Sequence, residues 1–435
     1  MSKLLTRSIA ALCTGISISI SITAFALSPT PAAPQSNPVA ITGVTVHIGD
    51  GSVVFQGTVT FSDGKITGVF QGTDTPDLAG HEVLNHSGEH LYPGFILPNT
   101  RLGLVEVNNV RGTVDDRERG GLNASVRSLV AYNTDSETIP TYRFNGVLTA
   151  QVTPKGGLLA GNSSVVQLDA WNWEDASIKS DDAMHVYWPR QLKPKVDVLR
   201  QKLDFEKDDK YQGHIDSLTE LFTDAKVGGV DVNLKLNAVA RVLEGDAQLF
   251  IHVERAREIV DALNFARDME VPRVVLVGAR EALQVKDLVL ERQVPIIVQH
   301  VLGLPSTVDS AIDENFSRPA LFKAAGFKIG LAAKSRMEPA SGRNLPFIAG
   351  TAAGYGLSSE EAVALITSGN AEILGIADEL GTIETGKRAT LFISIGDALD
   401  MRTNQVRGAY IDGRAVEIRG TQQELFDRFK EKYSN

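Results

Sequence analysis

Gln248-Leu249-Phe250-Ile251, Val274-Val275-Leu276-Val277 and Pro295-Ile296-Ile297-Val298 are three apolar runs that read as buried strands. Between the first two, Ala256, Ile259, Val260, Leu263 and Ala266 recur at helical spacing, and the segment from Ala282 to Leu290 fills the next interval as a helix. Lys328-Ile329-Gly330-Leu331-Ala332 follows as a further strand. Strands that recur every ~20 to 35 residues with helices between them imply parallel βα units. Such units wind into an open sheet or a closed barrel, and periodicity alone leaves both open. Residues 190–246 are more polar and read as helical, an excursion over one strand end.

The pattern changes on both sides of this middle. Ile41-Thr42-Gly43-Val44-Thr45-Val46, Gly57-Thr58-Val59-Thr60-Phe61 and Lys65-Ile66-Thr67-Gly68-Val69-Phe70 alternate as strands, with Asp63-Gly64 between the last two. Asp-Gly favours a two-residue hairpin turn, which needs positive φ at both central positions. After Gly381, Thr390-Leu391-Phe392-Ile393-Ser394-Ile395 and Gly408-Ala409-Tyr410-Ile411 return to β, with a second such turn at Asp412-Gly413. Each β flank alone is too small to bury its apolar face, so the two are expected to pair. Thr421-Gln422-Gln423-Glu424 has the form of a capping box before a helix bearing Leu425, Phe426 and Phe429.

The chain has 435 residues, 43% of them hydrophobic and 22% charged, and a formal net charge of −10. That excludes a disordered or fibrous protein, and the absence of a basic stripe argues against a nucleic-acid partner. Lys3 and Arg7, an apolar run from Ile9 to Ala26 and the small-x-small word Ala24-Phe25-Ala26 read as a cleaved export signal. The expected location is therefore the periplasm or the exterior, with no stable membrane span after cleavage. The one cysteine, Cys13, leaves with that leader, so disulfides and thiol chemistry are excluded from the mature chain. The expected organisation is a leader over 1–26, a linker over 27–39, one part of a small β domain over 40–92 and a barrel over 93–380. The rest of the β domain follows over 381–420, and a C-terminal helix over 421–435.

Particular words in this order resemble the amidohydrolase superfamily, in its branch near imidazolonepropionases and prolidase-like hydrolases. They are Leu91-Tyr92-Pro93-Gly94-Phe95-Ile96, then Glu360-Glu361-Ala362 through Ile366-Thr367, Asn370-Ala371 and Ile373-Leu374-Gly375-Ile376. Gly381-Thr382-Ile383-Glu384-Thr385-Gly386-Lys387 and Asp412-Gly413-Arg414 complete the set. The resemblance implies a (β/α)8 TIM-like barrel flanked by a small β-sandwich domain built from both ends of the mature chain. It also implies hydrolysis of a carbon–nitrogen bond other than a peptide link, by water activated on zinc or another divalent metal. Such a metal lowers the pKa of its water to about 7.

By the same resemblance, the ligands would be a His-x-His pair ending strand 1, histidines on strands 5 and 6, and an aspartate on strand 8. Some members add a carboxylated lysine on strand 4. Here Leu97-Pro98-Asn99-Thr100-Arg101 stands at the first position, His252 at the strand 5 position and Gly278-Ala279-Arg280 at strand 6. Ala333-Lys334-Ser335 occupies the strand 8 position, and Gln167 stands where the strand 4 lysine is sought. A cation ~5 Å from a divalent ion opposes its binding by roughly 6 to 7 kcal/mol at an effective dielectric of ~20. No tightly bound metal cofactor is therefore expected.

His252 is the candidate acid–base group, or a histidine merely satisfied in the core. Asn99, Arg101 and Lys334 are candidate pocket residues. Arg101 and Lys334 either form a fixed cationic pocket for a carboxylate or phosphate, or pair with Glu106 or with Asp115, Asp116 and Glu118. Three functions stay open: a hydrolase with a divergent site, a non-catalytic binder of a small anion, or a partner of a catalytically complete paralogue. The expected partners are a small-molecule ligand and either a second copy of the chain, as a homo-oligomer, or an active paralogue.

Overall fold

The computed structural model describes residues 31–433 apart from 75, 198–201, 228–232, 306, 308 and 335–337. The expected leader and the first residues of the expected linker lie outside the described residues.

The two β flanks join in one sheet. Strands β1 (Val39–His47), β2 (Val53–Ser62), β3 (Lys65–Phe70), β4 (Glu82–Asn85) and β5 (His90–Pro93) come from the first flank. The barrel strands are β6 (Phe95–Thr100), β7 (Val147–Val152), β8 (Leu159–Gln167), β9 (Ser177–Tyr187), β12 (Gln248–Val253), β13 (Val274–Gly278), β14 (Ile296–Val298) and β15 (Ile329–Leu331). A separate ribbon consists of β10 (Leu192–Asp197) and β11 (Lys202–Lys207), and the second flank supplies β16 (Leu391–Ser394), β17 (Val406–Ile411) and β18 (Arg414–Val416). The small sheet has the order β18-β17-β16-β5-β1-β2-β3, with β4 beside β1. It folds over its own apolar face: Ile66 N donates to Lys387 O and Ala389 N to Gly64 O, which brings the β3 end against the segment before β16. The enclosed core includes Ile41, Val44, Phe61, Leu91, Leu391 and Ile393, so the sandwich is made from a single continuous sheet.

The second eight-stranded sheet has the order β15-β14-β13-β12-β9-β8-β7-β6 and forms a TIM-like barrel. All neighbours are parallel except β8, which runs against β7 and β9. Interior side chains include Ile96, Val165, Ala183, Phe250, Val275, Val277 and Ile297 from six of the strands, and Ala332 just beyond β15. The seam between the two edge strands is closed by a side chain: Asn370 Nδ2 donates to Ile96 O (2.8 Å) and to Leu331 O (2.9 Å).

The expected helical excursion is mixed. Residues 192–197 and 202–207 form the antiparallel β10–β11 ribbon, and helices Tyr211–Val227 and Leu234–Glu244 follow it. The alternating Lys202-Leu203-Asp204-Phe205-Glu206-Lys207 is strand periodicity inside a polar segment. Gln167 lies on the reversed strand β8, so it does not stand at the strand 4 position assigned to it by resemblance. Its Oε1 accepts from Asp169 N and from Arg414.

Candidate functional site

The parallel strands end at one mouth, as βα order requires, and the backbone bends sharply there. Asn99, Ala279 and His300, at the ends of β6, β13 and β14, have φ of 55°, 45° and 59°. Asparagine tolerates this left-handed region, whereas each non-glycine residue beyond it costs about 1–2 kcal/mol. Asn99 sits in an irregularity of the β6–β7 register, and its N–H donates to Gln151 Oε1 at 3.1 Å.

That bend sends Arg101 across the barrel end. Its Nε donates to Glu338 Oε2 (2.7 Å), one terminal nitrogen donates to Asp116 Oδ2 (2.8 Å), and the other reaches the Glu338 carbonyl. Glu338 Oε1 accepts in addition from Thr100 Oγ1 (2.6 Å) and from Arg101 N (2.8 Å). Asp116, with no exposed side-chain surface, is bridged a second time by Arg117 at 2.7 Å. Burial works against charge on both Arg101 and Asp116. The opposed charges and hydrogen bonds outweigh it, holding the guanidinium pKa above and the carboxyl pKa below their ordinary values. Arg101 is thus a neutralised bridge between two loops.

His252 meets a partner, His185, that the sequence did not single out. His185 lies on β9 opposite Phe250 of β12, two residues along from the Tyr187–His252 pair. His185 Nδ1 and His252 Nε2 are 3.0 Å apart, so one ring donates and the other accepts. The Tyr187 ring stacks on His252 at 4.0 Å. Burial lowers the pKa of His185 to about 3. Burial, followed by the charges of His185, Lys334 and Lys155, holds His252 well below its ordinary value. The pair is neutral at physiological pH. His185 Nε2 and His252 Nδ1 have no hydrogen-bond partner among the described residues.

Beside this pair lies a cavity of about 490 Å³. Its wall includes His252, Gln299 and four cationic side chains, Arg190, Arg255, Arg280 and Lys334, against the carboxylates Glu254, Glu258 and Glu281. Two of these acids are occupied: Glu281 caps the helix Ala256–Asp268 by accepting from Ala256 N (2.8 Å), and Glu258 accepts from Gln191 N (3.0 Å). Burial raises the Glu258 pKa, which further weakens the acidic side of the balance. Glu254 stands 3.8 Å from Arg280. Lys334 is exposed yet crowded by protein, and desolvation lowers its pKa, with Glu254 and Glu338 opposing and Lys155 and Arg101 reinforcing that shift.

Of the expected residues, His252 and Lys334 are brought together on this wall, while Asn99 and Arg101 are not among its lining residues. The sequence reading missed His185 and Glu338, and took Arg280 only as the absence of a histidine. The alternation Ala183-Met184-His185-Val186-Tyr187 was the signal for His185, since it sets Ala183, His185 and Tyr187 on one face of a strand. Among the described residues, no three or more His, Cys, Asp or Glu side chains are grouped so that they could hold a metal ion.

Residues 251–416 match the model of the Amidohydrolase family. The chain is amidohydrolase-like. No curated protein matches it. Among solved structures, an amidohydrolase from Thermotoga maritima is similar over 88% of this chain and 100% of its own, with a TM-score of 0.76 and 22% identity. A prolidase complexed with N-methylphosphonate-L-proline is similar over 87% of this chain and 99% of its own (TM-score 0.55, 16% identity). An adenosine deaminase from Xanthomonas campestris with bound zinc is similar over 92% and 98% respectively (TM-score 0.53, 14% identity). At these identities the likenesses show that this amidohydrolase-like chain shares their fold.

Proposed function

We propose that this amidohydrolase-like barrel binds a small carboxylate or phosphate at its mouth, and that side-chain cations take the place of a resident divalent metal. The observation that carries this reading is the 490 Å³ cavity with Lys334, Arg280, Arg190 and Arg255 on its wall beside a neutral histidine pair. The residues present do not fit the family's metal. His252 turns Nε2 to His185, among the described residues no carboxylate joins the two imidazoles in a group that could hold a metal, and Lys334 and Lys155 lie near enough to depress the His252 pKa. One unit of anionic charge ~5 Å from a cation at an effective dielectric of ~20 gains roughly 3 kcal/mol, the opposite sign to its effect on a metal.

A second reading keeps hydrolysis of a carbon–nitrogen bond. The observation favouring it is the unpartnered Nδ1 of His252, a neutral imidazole nitrogen able to accept a proton from water. Lys334 and Arg280 would then face the oxyanion. The export signal read in the sequence over residues 1–26 supports a location outside the cytoplasm for either function.

Titration with acetate, succinate and inorganic phosphate, followed by the thermal midpoint, separates these readings. Binding predicts a midpoint that rises with at least one anion and falls back with added salt. Lys334→Gln is expected to weaken that binding about tenfold, because the exposed ammonium acts through partly screened charge. No response to any anion, or an unchanged response in Lys334→Gln and Arg280→Gln, contradicts the proposal. Turnover abolished by His252→Ala but not by chelation would establish the second reading.

A further inference from the structure

The C-terminal helix Thr421–Tyr433 has no buried residue. Leu425, Phe426, Phe429 and Tyr433 are 44%, 63%, 47% and 75% exposed. A helix of this length is marginal alone in water, and in proteins its stability comes from covering an apolar face. With 3.6 residues per turn, these four side chains share one side. Lys430 and Lys432 hold the edges of that side: the Lys430 ammonium lies 5.7 Å from the Phe426 ring centre and the Lys432 ammonium 5.1 Å from that of Tyr433. Glu424, Asp427 and Glu431 fall on the opposite side, where Arg419 holds Asp427 at 2.9 Å and Glu424 at 3.9 Å. The first turn is tied to the body of the protein by Thr421, whose hydroxyl donates to Glu137.

This segregation of charge selects the occupant. Antiparallel pairing with a second copy would set the lysine edges against Thr421, Gln422 and Gln423, which carry no charge, and parallel pairing would set lysine against lysine. A helix about 20 Å long with four apolar side chains also falls short of the ~1,200 Å² that a specific dimer buries. A bilayer with anionic headgroups meets every feature. Leucine and aromatic rings enter the boundary between headgroups and acyl chains, the lysines lie along them with their ammoniums among the phosphates, and the acids face water. We infer that the helix Thr421–Tyr433 docks the protein on an anionic lipid surface, lying in the interface plane. Among the described residues no helix is long and apolar enough to cross a membrane, so the attachment is peripheral.

Flotation of the full chain with vesicles of phosphatidylcholine, with and without about one quarter phosphatidylglycerol, tests this. The chain is expected to float with the anionic vesicles and to stay behind with the neutral ones. Phe426→Ser with Phe429→Ser should reduce partition at least about tenfold, and Lys430→Gln with Lys432→Gln should reduce it several-fold and remove its salt dependence. Thermal midpoints should be unchanged in both variants, since neither pair is buried. Absence of flotation, equal flotation on neutral vesicles, or variants that float like the parent would overturn the inference. So would a dimer by light scattering that the phenylalanine variant dissociates, which would assign the face to a second copy.

Discussion

Arg101 and Lys334 look equivalent in the sequence, two cations where relatives by resemblance place metal ligands, yet their surroundings separate them. Arg101 is closed between Asp116 and Glu338, with Thr100 sharing the second carboxylate. Glu338 is far away in the sequence and no spacing rule reaches it. Among the described residues Lys334 has no such cage, and unlike Arg101 it lines the cavity. The electrostatic objection to a metal, counted twice from the sequence, therefore rests on Lys334 and Lys155, while Arg101 acts as a strut.

The histidine pair gives the residue scale its pH dependence. Burial lowers the pKa of His185 to about 3 and that of His252 well below 6.5, whereas the unfolded chain takes up protons near 6.5. Between those limits the unfolded state holds more protons, so stability falls as pH drops below 6.5. Unfolding free energies from urea titrations at pH 6.5 and pH 5 should differ by about 1.6 kcal/mol for His185, with a loss of the same sign from His252, before most carboxylates titrate. A flat profile across that interval would show the rings already charged or solvated.

At the scale of elements, the barrel seam is a point of weakness that Asn370 covers. One side-chain amide serves carbonyls on both edges, Ile96 on β6 and Leu331 on β15. Asn370→Ala leaves both buried carbonyls without that donor and should cost about 2–4 kcal/mol, read as a lowered urea midpoint with an unchanged slope. A loss below about 0.5 kcal/mol would mean that the seam is held by other contacts.

Local chemistry made several elements legible. Asp63-Gly64 and Asp412-Gly413 have positive φ throughout, at 52° and 77°, then 52° and 72°, as a two-residue hairpin turn demands. The βα repeats from Gln248 to Leu331 stand where their apolar runs put them. The ribbon strands 192–197 and 202–207 alternate apolar and polar residues, but the alternation was hidden because each run is short and lies inside a polar segment that reads as helical. The C-terminal helix is present, but Thr421 turns its hydroxyl to Glu137, a partner from a distant helix start that no local capping pattern contains.

Across the whole molecule, the sequence order β, then βα, then β translates directly into architecture. β5 and β16 pair antiparallel from opposite ends of the described chain, and Leu391 meets Pro93 where the small sheet passes into the barrel. The charge balance is less legible. A chain with net charge −10 nevertheless gathers four cationic side chains around its barrel mouth, because Arg190, Arg255, Arg280 and Lys334 come from four separate strand ends. Only the closed barrel brings them together.

The most direct test of that assembly is elemental analysis of the chelator-washed protein after reconstitution with zinc, manganese and iron. Positive charge supplied by side chains leaves well under about 0.1 equivalent of any transition metal per chain, whereas about one tightly held equivalent would show a complete ligand set and contradict the cationic mouth.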